Sequence, residues 1–284
     1  PLAPAPDVTG TVPVARLVPP PATPLPATPA PTPPAGGAED GGSIEAWPET
    51  LPAALASKPL VAGVASRNPA AAYEIAMRYA EGRGVTADIA AALPWFQRAA
   101  AAGLAPAQFR LGSLYEKGNG VKKDLAEARR WYLAAAERGN ANAMHNIAVL
   151  YAEGIDGKPD FPTAVQWFTK AARHGVADSQ YNLAILHARG IGTEQNLAEA
   201  YKWFAIAAQK GDKDAAKKRD DLGARLDQQS LTAARLAAQS FVPLVAPEDA
   251  MTVPPPPGGW EDASSGRGRA KPKSRIPMEQ AARL

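Results

Sequence analysis

The chain of 284 residues contains no cysteine, which excludes a disulfide framework and thiolate chemistry. It has no run of about 18 apolar residues, and no charged leader followed by an apolar stretch and a cleavage site. We therefore expect these residues to contain neither a membrane span nor a signal peptide. Because the chain begins at Pro1 and not at methionine, we expect an anchor or a signal to lie upstream of it.

Proline is abundant but unevenly distributed. More than half of the 29 prolines precede Leu60. Residues 1–46 have few aromatic and charged side chains and no apolar periodicity, so they cannot bury enough apolar surface to offset the entropy of ordering. We predict a disordered, Pro-rich linker over residues 1–46.

The other end of the chain has a similar composition and a local positive charge. From Gly266 onward there are six Lys and Arg residues against one Glu. A basic segment can attract phosphate or an anionic polymer, although it is more often a solvated end. We predict a disordered, Pro-rich and basic tail over residues 248–284, and we expect no nucleic-acid partner.

Between these ends the sequence repeats itself four times with a period of 36 residues. A fixed period of this length is typical of a solenoid built from stacked units. We place the four units at residues 68–103, 104–139, 140–175 and 176–211. The recurring residues are Trp95, Trp131, Trp167 and Trp203, then Gly82, Gly118, Gly154 and Gly190, and finally Gly103, Gly139, Gly175 and Gly211.

Each unit has the pattern of two helices. In the second unit, Ala107, Leu111 and Tyr115 lie on one face at helical spacing, and Gly118 is a typical helix end. Gly112 is small because the second helix must approach closely there. The second helices begin after residues that can accept hydrogen bonds from first-turn amides, namely Asp88, Asp124, Asp160 and Asn196.

We therefore predict an all-α fold, an α/α solenoid of four 36-residue helix pairs. A capping half-repeat at residues 47–67, with Arg67 in a glycine position of the repeat, and capping helices at residues 212–247 close its ends. Trp131 should be nearly fully buried, as part of a core and not of a stacking platform for bases or sugars. Pro94 should kink its helix, because it removes a backbone hydrogen bond.

The recurring pattern Ala-x3-Leu-Gly/Ala-x-Leu-Tyr-x2-Gly, followed by Trp-x3-Ala-Ala-x2-Gly, resembles the Sel1-like repeat family, which is related to tetratricopeptide repeats. The resemblance covers residues 68–211. The third unit departs from it with GIDGKPDFP between its helices, so we expect a different loop there. The resemblance implies a helical solenoid that binds partners.

A narrower resemblance concerns the stretches AMHNIAVLYAEG, DSQYNLAILHARG and YKWFAIAAQKGDKDAAKKRDDLGARL. These are similar to the repeat region of alphaproteobacterial polar localisation factors of the PodJ type. That resemblance implies a periplasmic scaffold, anchored to the inner membrane by a segment upstream of Pro1, which recruits envelope signalling or polarity proteins at a cell pole. Peptidoglycan is a weaker candidate partner.

The three histidines favour structural roles. His145 and His187 occupy positions where the other units have aromatic residues, and His174 lies at a helix end, where a partly charged imidazole is favourable. No acid, nucleophile or second metal ligand lies at a workable spacing from any of them. We predict a non-enzymatic protein without a metal or a cofactor.

Partner binding should use the inner curve of the solenoid, which first helices line in related proteins. Several first-helix positions vary between units, including the series Glu81, Lys117, Glu153 and Arg189, whereas the frame does not vary. These positions either recognise a partner or vary because they face solvent. The predicted partner-binding residues for a protein or peptide are Tyr73, Met77, Phe109, Arg110, Ser113, Lys117, His145, Asn146, Val149, Tyr181, Asn182 and Ile185.

Three functions remain open at this point. The first is an envelope scaffold tethered through residues 1–46. The second is the recognition arm of a system that modifies or regulates an envelope polymer, either peptidoglycan or exopolysaccharide, although no catalytic domain is visible. The third is a cytoplasmic adaptor, which differs from the first in compartment alone.

Overall fold

The computed structural model describes residues 47–48, 50–155 and 157–262. The predicted linker, residues 1–46, and the basic end of the tail, residues 263–284, lie outside the described residues. The helices are α1 (Lys58–Ala65), α2 (Pro69–Glu81), α3 (Ile89–Ala101), α4 (Ala105–Lys117), α5 (Leu125–Glu137), α6 (Ala141–Glu153), α7 (Phe161–Arg173), α8 (Ala177–Arg189), α9 (Leu197–Gln209), α10 (Lys213–Gly223), α11 (Gln228–Gln239) and α12 (Glu248–Met251), and a short 3-10 helix (Ala53–Leu55) precedes them. Within that part of the chain there is no strand, and none of its helices has the length and apolar character needed to cross a membrane.

The helices stack as consecutive pairs, which confirms the predicted solenoid. The first helices of the four pairs are α2, α4, α6 and α8, and the second helices are α3, α5, α7 and α9. Each second helix packs against its own first helix and against the first helix of the next pair. Helix α1 covers one end of the row, and α10 and α11 pack on α9 at the other end.

The ends of the helices have the predicted caps. The carboxylate of Asp124 accepts hydrogen bonds from the amides of Ala126 and Glu127, at 2.9 and 3.0 Å. Asp88, Asp160 and Asn196 cap α3, α7 and α9 in the same way. A side-chain acceptor satisfies amides that the first turn of a helix leaves without a partner, so these residues fix where each second helix begins.

Three local expectations concerned backbone geometry. The loop of the third unit does differ, because Gly154 has φ 86° and ψ 100°, whereas the glycines that end α2, α4 and α8 are left-handed helical. Arg67 has a positive φ of 54°, as its place in a glycine position predicts. Helix α3 runs without interruption through Pro94, and the kink there stays a prediction.

An aromatic pair joins the two helices of every repeat. The ring of the first helix contacts a Phe or Tyr that directly follows the repeated tryptophan, with centroids 5.4 to 5.9 Å apart. The members of the second helices are at most 2% exposed. These aromatic pairs are Tyr73–Phe96, Phe109–Tyr132, His145–Phe168 and Tyr181–Phe204.

The tryptophans occupy a more peripheral place than the sequence suggested. Trp95 and Trp203 are buried, but Trp131 and Trp167 are half-buried. A basic side chain covers part of each ring, for example the guanidinium of Arg130 at 4.8 Å from the Trp131 centroid. The prediction that Trp131 is nearly fully buried is therefore wrong, because its ring closes the edge of the core while the adjacent Tyr132 fills the centre.

The second repeat differs from the other three at three positions that contact one another. It has Gly112, Glu116 and Tyr132 where the others have Ala, Ala and Phe. The Tyr132 hydroxyl donates a hydrogen bond of 2.6 Å to the Glu116 carboxylate. A Cβ added at Gly112 would lie 2.7 Å from the Tyr132 ring, which confirms the predicted close approach.

The C-terminal part of the chain corrects one prediction. Residues 248–262 were expected in a disordered tail, but residues 241–262 fold back along the solenoid and contact it up to its N-terminal end. We call residues 241–262 the C-terminal strap. Its structure follows from Phe241, Ala250 and Trp260, which find apolar or hydrogen-bonding partners on the solenoid.

The contacts in the second repeat predict strong coupling between its three unusual residues. Gly112→Ala alone should lower the free energy of unfolding by about 1–3 kcal/mol through overpacking against Tyr132. The triple change Gly112→Ala, Glu116→Ala and Tyr132→Phe recreates the residues of the other repeats. It should cost at least about 1 kcal/mol less than the sum of the three single changes, as measured by urea unfolding. Strict additivity would show that the three side chains act independently.

Candidate partner-binding surface

The structure separates the predicted partner-binding residues by exposure. Eight of the twelve are buried, and the other four are half-buried or exposed. The buried residues are Phe109, Ser113, His145, Asn146, Val149, Tyr181, Asn182 and Ile185, and the accessible ones are Tyr73, Met77, Arg110 and Lys117. Partner binding by this set stays a prediction, and the buried eight could act in it only by supporting accessible neighbours.

The aromatic position of the first helix points into the core. Phe109 packs on Tyr132, and His145 packs on Phe168. Two residues at this position also contact the next helix pair, because His145 Nδ1 lies 2.7 Å from Ser179 Oγ of α8, and the Tyr181 hydroxyl hydrogen-bonds to Asp214 of α10. Helical spacing placed these residues on one face but could not show that this face meets two other helices. They link neighbouring repeats.

Burial at this position also changes the titration of His145. The imidazole is surrounded by protein, and this loss of solvation lowers the pKa of His145 to about 4, although the charge of Asp178 acts in the opposite direction. The ring is therefore neutral at physiological pH. This supports the structural role that the sequence indicated for His145.

A polar cluster between the second and third repeats was missed in the sequence. The Glu116 carboxylate is half-buried beside Tyr132. Burial raises the pKa of Glu116, while the hydrogen bond from Tyr132 and the charge of Lys117 act against the rise. Burial and the Glu116 charge raise the pKa of Tyr132 well above its usual range. The signal in the sequence was a glutamate at a position where the other repeats have alanine.

Each first helix has a charged side chain in its last turn. Glu81, Lys117, Glu153 and Arg189 occupy the same position in successive repeats. Lys117, Glu153 and Arg189 are exposed, and Glu81 is half-buried. We call these four residues the charge row. Its sign alternates from one repeat to the next, so it offers a partner an ordered series of charges.

The first repeat adds a network of ions to this face. The Glu74 carboxylate accepts from Arg78 at 2.8 Å and from Arg83 at 2.9 Å, and Arg83 also pairs with Glu81 at 2.6 Å. These carboxylates raise the pKa of Arg83 against the effect of its partial burial. Across the described ranges, no group of three or more His, Asp and Glu side chains is arranged to hold a metal ion.

The four stacked helix pairs repeat the same packing but differ in their surface residues. They define an α-helical repeat solenoid, a class of protein that binds partners over an extended surface. A family model for the Sel1 repeat matches residues 69–104, 105–140, 141–176 and 177–212. These matches make up about half of the chain, which therefore belongs to the Sel1 repeat family. Sel1 repeat proteins are typically non-enzymatic scaffolds that bind protein partners.

Solved structures support the assignment. The chain is similar to a Sel1 repeat protein from Oxalobacter formigenes, with a TM-score of 0.53 and 31% sequence identity over 63% of this chain and 76% of that one. It is also similar to a protective antigen present in uropathogenic Escherichia coli strains that displays an SLR fold, with a TM-score of 0.54 and 33% identity. That match covers 62% of this chain but 39% of the antigen. Comparison with curated proteins finds no match.

The lowered pKa of His145 predicts a loss of stability in acid. Below pH 6.5 the unfolded chain binds a proton at His145 that the folded chain does not bind until about pH 4, so folding is penalised progressively over this window, by up to about 3 kcal/mol. In His145→Phe, which has the residue of the second repeat, the free energy of unfolding should fall less between pH 7 and 4.5. The measurement is urea unfolding at each pH. Equal losses in both proteins would contradict a neutral, buried imidazole.

Proposed function

We propose that this chain is a non-enzymatic scaffold of the bacterial cell envelope, which recruits a protein partner through the accessible residues of its first helices. The observation that supports this most directly is the charge row. The last turn of each first helix carries a charge at the same position, exposed in three repeats and half-buried at Glu81, and its sign alternates from repeat to repeat. A solvated position accepts neutral polar and charged side chains alike, so solvation alone does not account for a charge that changes sign at each repeat.

The partner that fits this surface is an extended or helical protein segment with charges complementary to the row. The half-buried Tyr73 and Met77 add apolar contact area on α2, the helix that carries Glu81. Aromatic residues and arginine dominate many protein interfaces. Exposed charges mainly direct association and specificity. Affinity would therefore depend on the few apolar anchors and on Arg110.

Within this class we propose the narrower role of a polarity factor of the PodJ type, located in the periplasm and anchored to the inner membrane. This assignment rests on the resemblance of three sequence stretches in the third and fourth repeats and in α9 to α10. The Pro-rich composition of residues 1–46 supports it, since such a segment could serve as a tether between an anchor and the solenoid.

The scaffold proposal predicts that two charges in the second repeat are needed for capture. Arg110→Glu with Lys117→Glu reverses one half-buried and one exposed charge on α4, and it leaves every aromatic pair intact. We expect retained helicity by circular dichroism and at least a tenfold loss of partner capture from an envelope extract, or about 1.4 kcal/mol.

The matched control is Lys217→Glu with Arg225→Glu, which makes the same change of net charge at two exposed sites that follow the four repeats in the chain. This variant should capture the same proteins as the unchanged chain. Equal capture by all three proteins would place the binding surface elsewhere. Phe109→Ala is not a suitable probe, because Phe109 is buried against Tyr132 and its loss should cost about 3–5 kcal/mol of stability.

The narrower role predicts the location of the protein. In the complete gene product, alkaline phosphatase fused after Leu284 should be active, because this enzyme folds in the periplasm, and a fluorescent protein that matures there should form a focus at one pole. Inactive phosphatase would contradict the periplasmic location. An evenly distributed fluorescent signal would contradict the polarity role but not the scaffold role.

A further inference from the structure

The C-terminal strap runs along the solenoid and contacts the ends of successive repeats. It leaves α11 with the Phe241 ring on Trp203, at 5.4 Å between centroids. The Leu244 amide then donates to the Arg173 carbonyl at 2.8 Å, and Asn140 Nδ2 donates to the Ala250 carbonyl at 2.6 Å. The strap therefore passes the end of the third repeat and then the end of the second as it returns toward the start of the chain.

The glycine turns between repeats leave room for the strap, because glycine has no side chain. A Cβ added at Gly139 would lie 2.8 Å from Pro247, and one added at Gly175 would lie 3.2 Å from Pro243. The same addition at Gly211, which the strap does not reach, would meet nothing within 4 Å. Prolines of the strap thus lie directly over two of the repeated glycine turns.

The far end of the strap is held by specific contacts. Trp260 is 9% exposed and belongs to the N-terminal core cluster, with its ring 3.3 Å from a Cβ added at Gly63. Ser57 Oγ donates a hydrogen bond to the Trp260 carbonyl. An aromatic side chain therefore fills a place that α1 and α2 leave open between them.

Two carboxylates follow this tryptophan, and each meets a complementary group. Glu261 pairs with the buried guanidinium of Arg78 at 2.7 Å. Asp262 accepts from the amide of Lys58 at 2.8 Å, in the first turn of α1, where a negative charge is favoured by the helix dipole. The order aromatic, Glu, Asp is thus recognised by shape and by charge.

Between its anchors the strap is held loosely. Val242 is 80% exposed and Val245 is 94% exposed, and Leu244 and Met251 are also exposed. These side chains contribute little of the burial that normally stabilises a packed segment. A segment held at few points opens at a lower cost than the repeats themselves.

A related pattern occurs elsewhere in the chain. Residues 255–262 are Pro-Pro-Pro-Gly-Gly-Trp-Glu-Asp, and residues 33–40 are Pro-Pro-Ala-Gly-Gly-Ala-Glu-Asp. The second version has Ala38 in place of Trp260. The sequence of residues 33–40 therefore provides a natural control for the contribution of the tryptophan.

We propose that the surface formed by Ser57, Lys58, Gly63 and Arg78 is a binding site for a protein segment in which Gly-Gly and an aromatic residue precede two carboxylates. The strap occupies this site within the chain, and a partner segment of the same chemistry displaces it. The site adjoins the charge row, because Glu74 accepts from Arg78 and from Arg83, which pairs with Glu81, but it contains no residue of that row. It therefore extends the proposed scaffold function to a second set of residues and can be tested without the cellular partner.

The test uses a fluorescent peptide of residues 252–262 and the full chain. Trp260→Ala with Asp262→Asn should release the strap and bind the peptide at least tenfold more tightly than the unchanged chain, where the strap competes at high effective concentration. Val242→Ala with Val245→Ala, which changes two exposed strap residues, should behave like the unchanged chain. The peptide with Trp260→Ala, and a peptide of residues 30–40, should bind at least tenfold more weakly to the released protein.

Two further changes test the site itself. In the released protein, Arg78→Gln should weaken peptide binding at least tenfold. Ser57→Ala, at the N-cap of α1, should weaken it to a smaller extent and serves if Arg78→Gln does not fold. Equal peptide affinity in the unchanged and released proteins, or binding to neither, would overturn the proposal. A concentration-dependent dimer of the unchanged chain that Trp260→Ala abolishes would also overturn it, because the occupant would then be the strap of a second copy.

Discussion

The contact between one aromatic ring of each first helix and one of its second helix sets the spacing of the solenoid. The second-helix rings are at most 2% exposed, and the pair recurs in all four repeats at nearly the same distance. In the second repeat, Gly112 of the first helix lies against the Tyr132 ring, which allows the two backbones to approach closely. At Tyr132 the second-helix ring has a hydroxyl that the other repeats lack, Gly112 takes the place of their alanine, and the Glu116 carboxylate accepts a hydrogen bond from that hydroxyl.

This packing limits where the protein can bind anything. The first helices are enclosed by their own second helix, the preceding second helix and neighbouring repeats, so that α6 is buried at nearly every position from Ala141 to Ala152. Accessible positions that differ between repeats include the last turn of each first helix and the mid-helix position of Glu74 and Arg110. The charge row is the consequence, since charges there alter no contact in the core.

The repeat period made most of the fold predictable, because one period fixes the helices, their caps and their order. It did not distinguish Trp131 from Tyr132, since both lie on the apolar side of α5 and only the packed structure shows which ring is central. It also assigned Phe109 and His145 to an accessible face, because spacing within a helix does not count the helices around it. The strap was missed because a Pro-rich composition indicates weak burial on average, whereas a few anchors such as Trp260 are enough to hold it.

The strap also resolves a problem that every solenoid has at its ends. A terminal helix pair exposes the face that a further repeat would cover, and a polar or capping element must close it. At the C-terminal end this is done by α10 and α11, which follow directly in the sequence. At the N-terminal end α1 covers only part of the face, and Trp260 completes the core from the opposite end of the chain. Because that last piece is not built into the repeats, the proposed partner segment can replace it without any change to the aromatic pairs that hold the solenoid together.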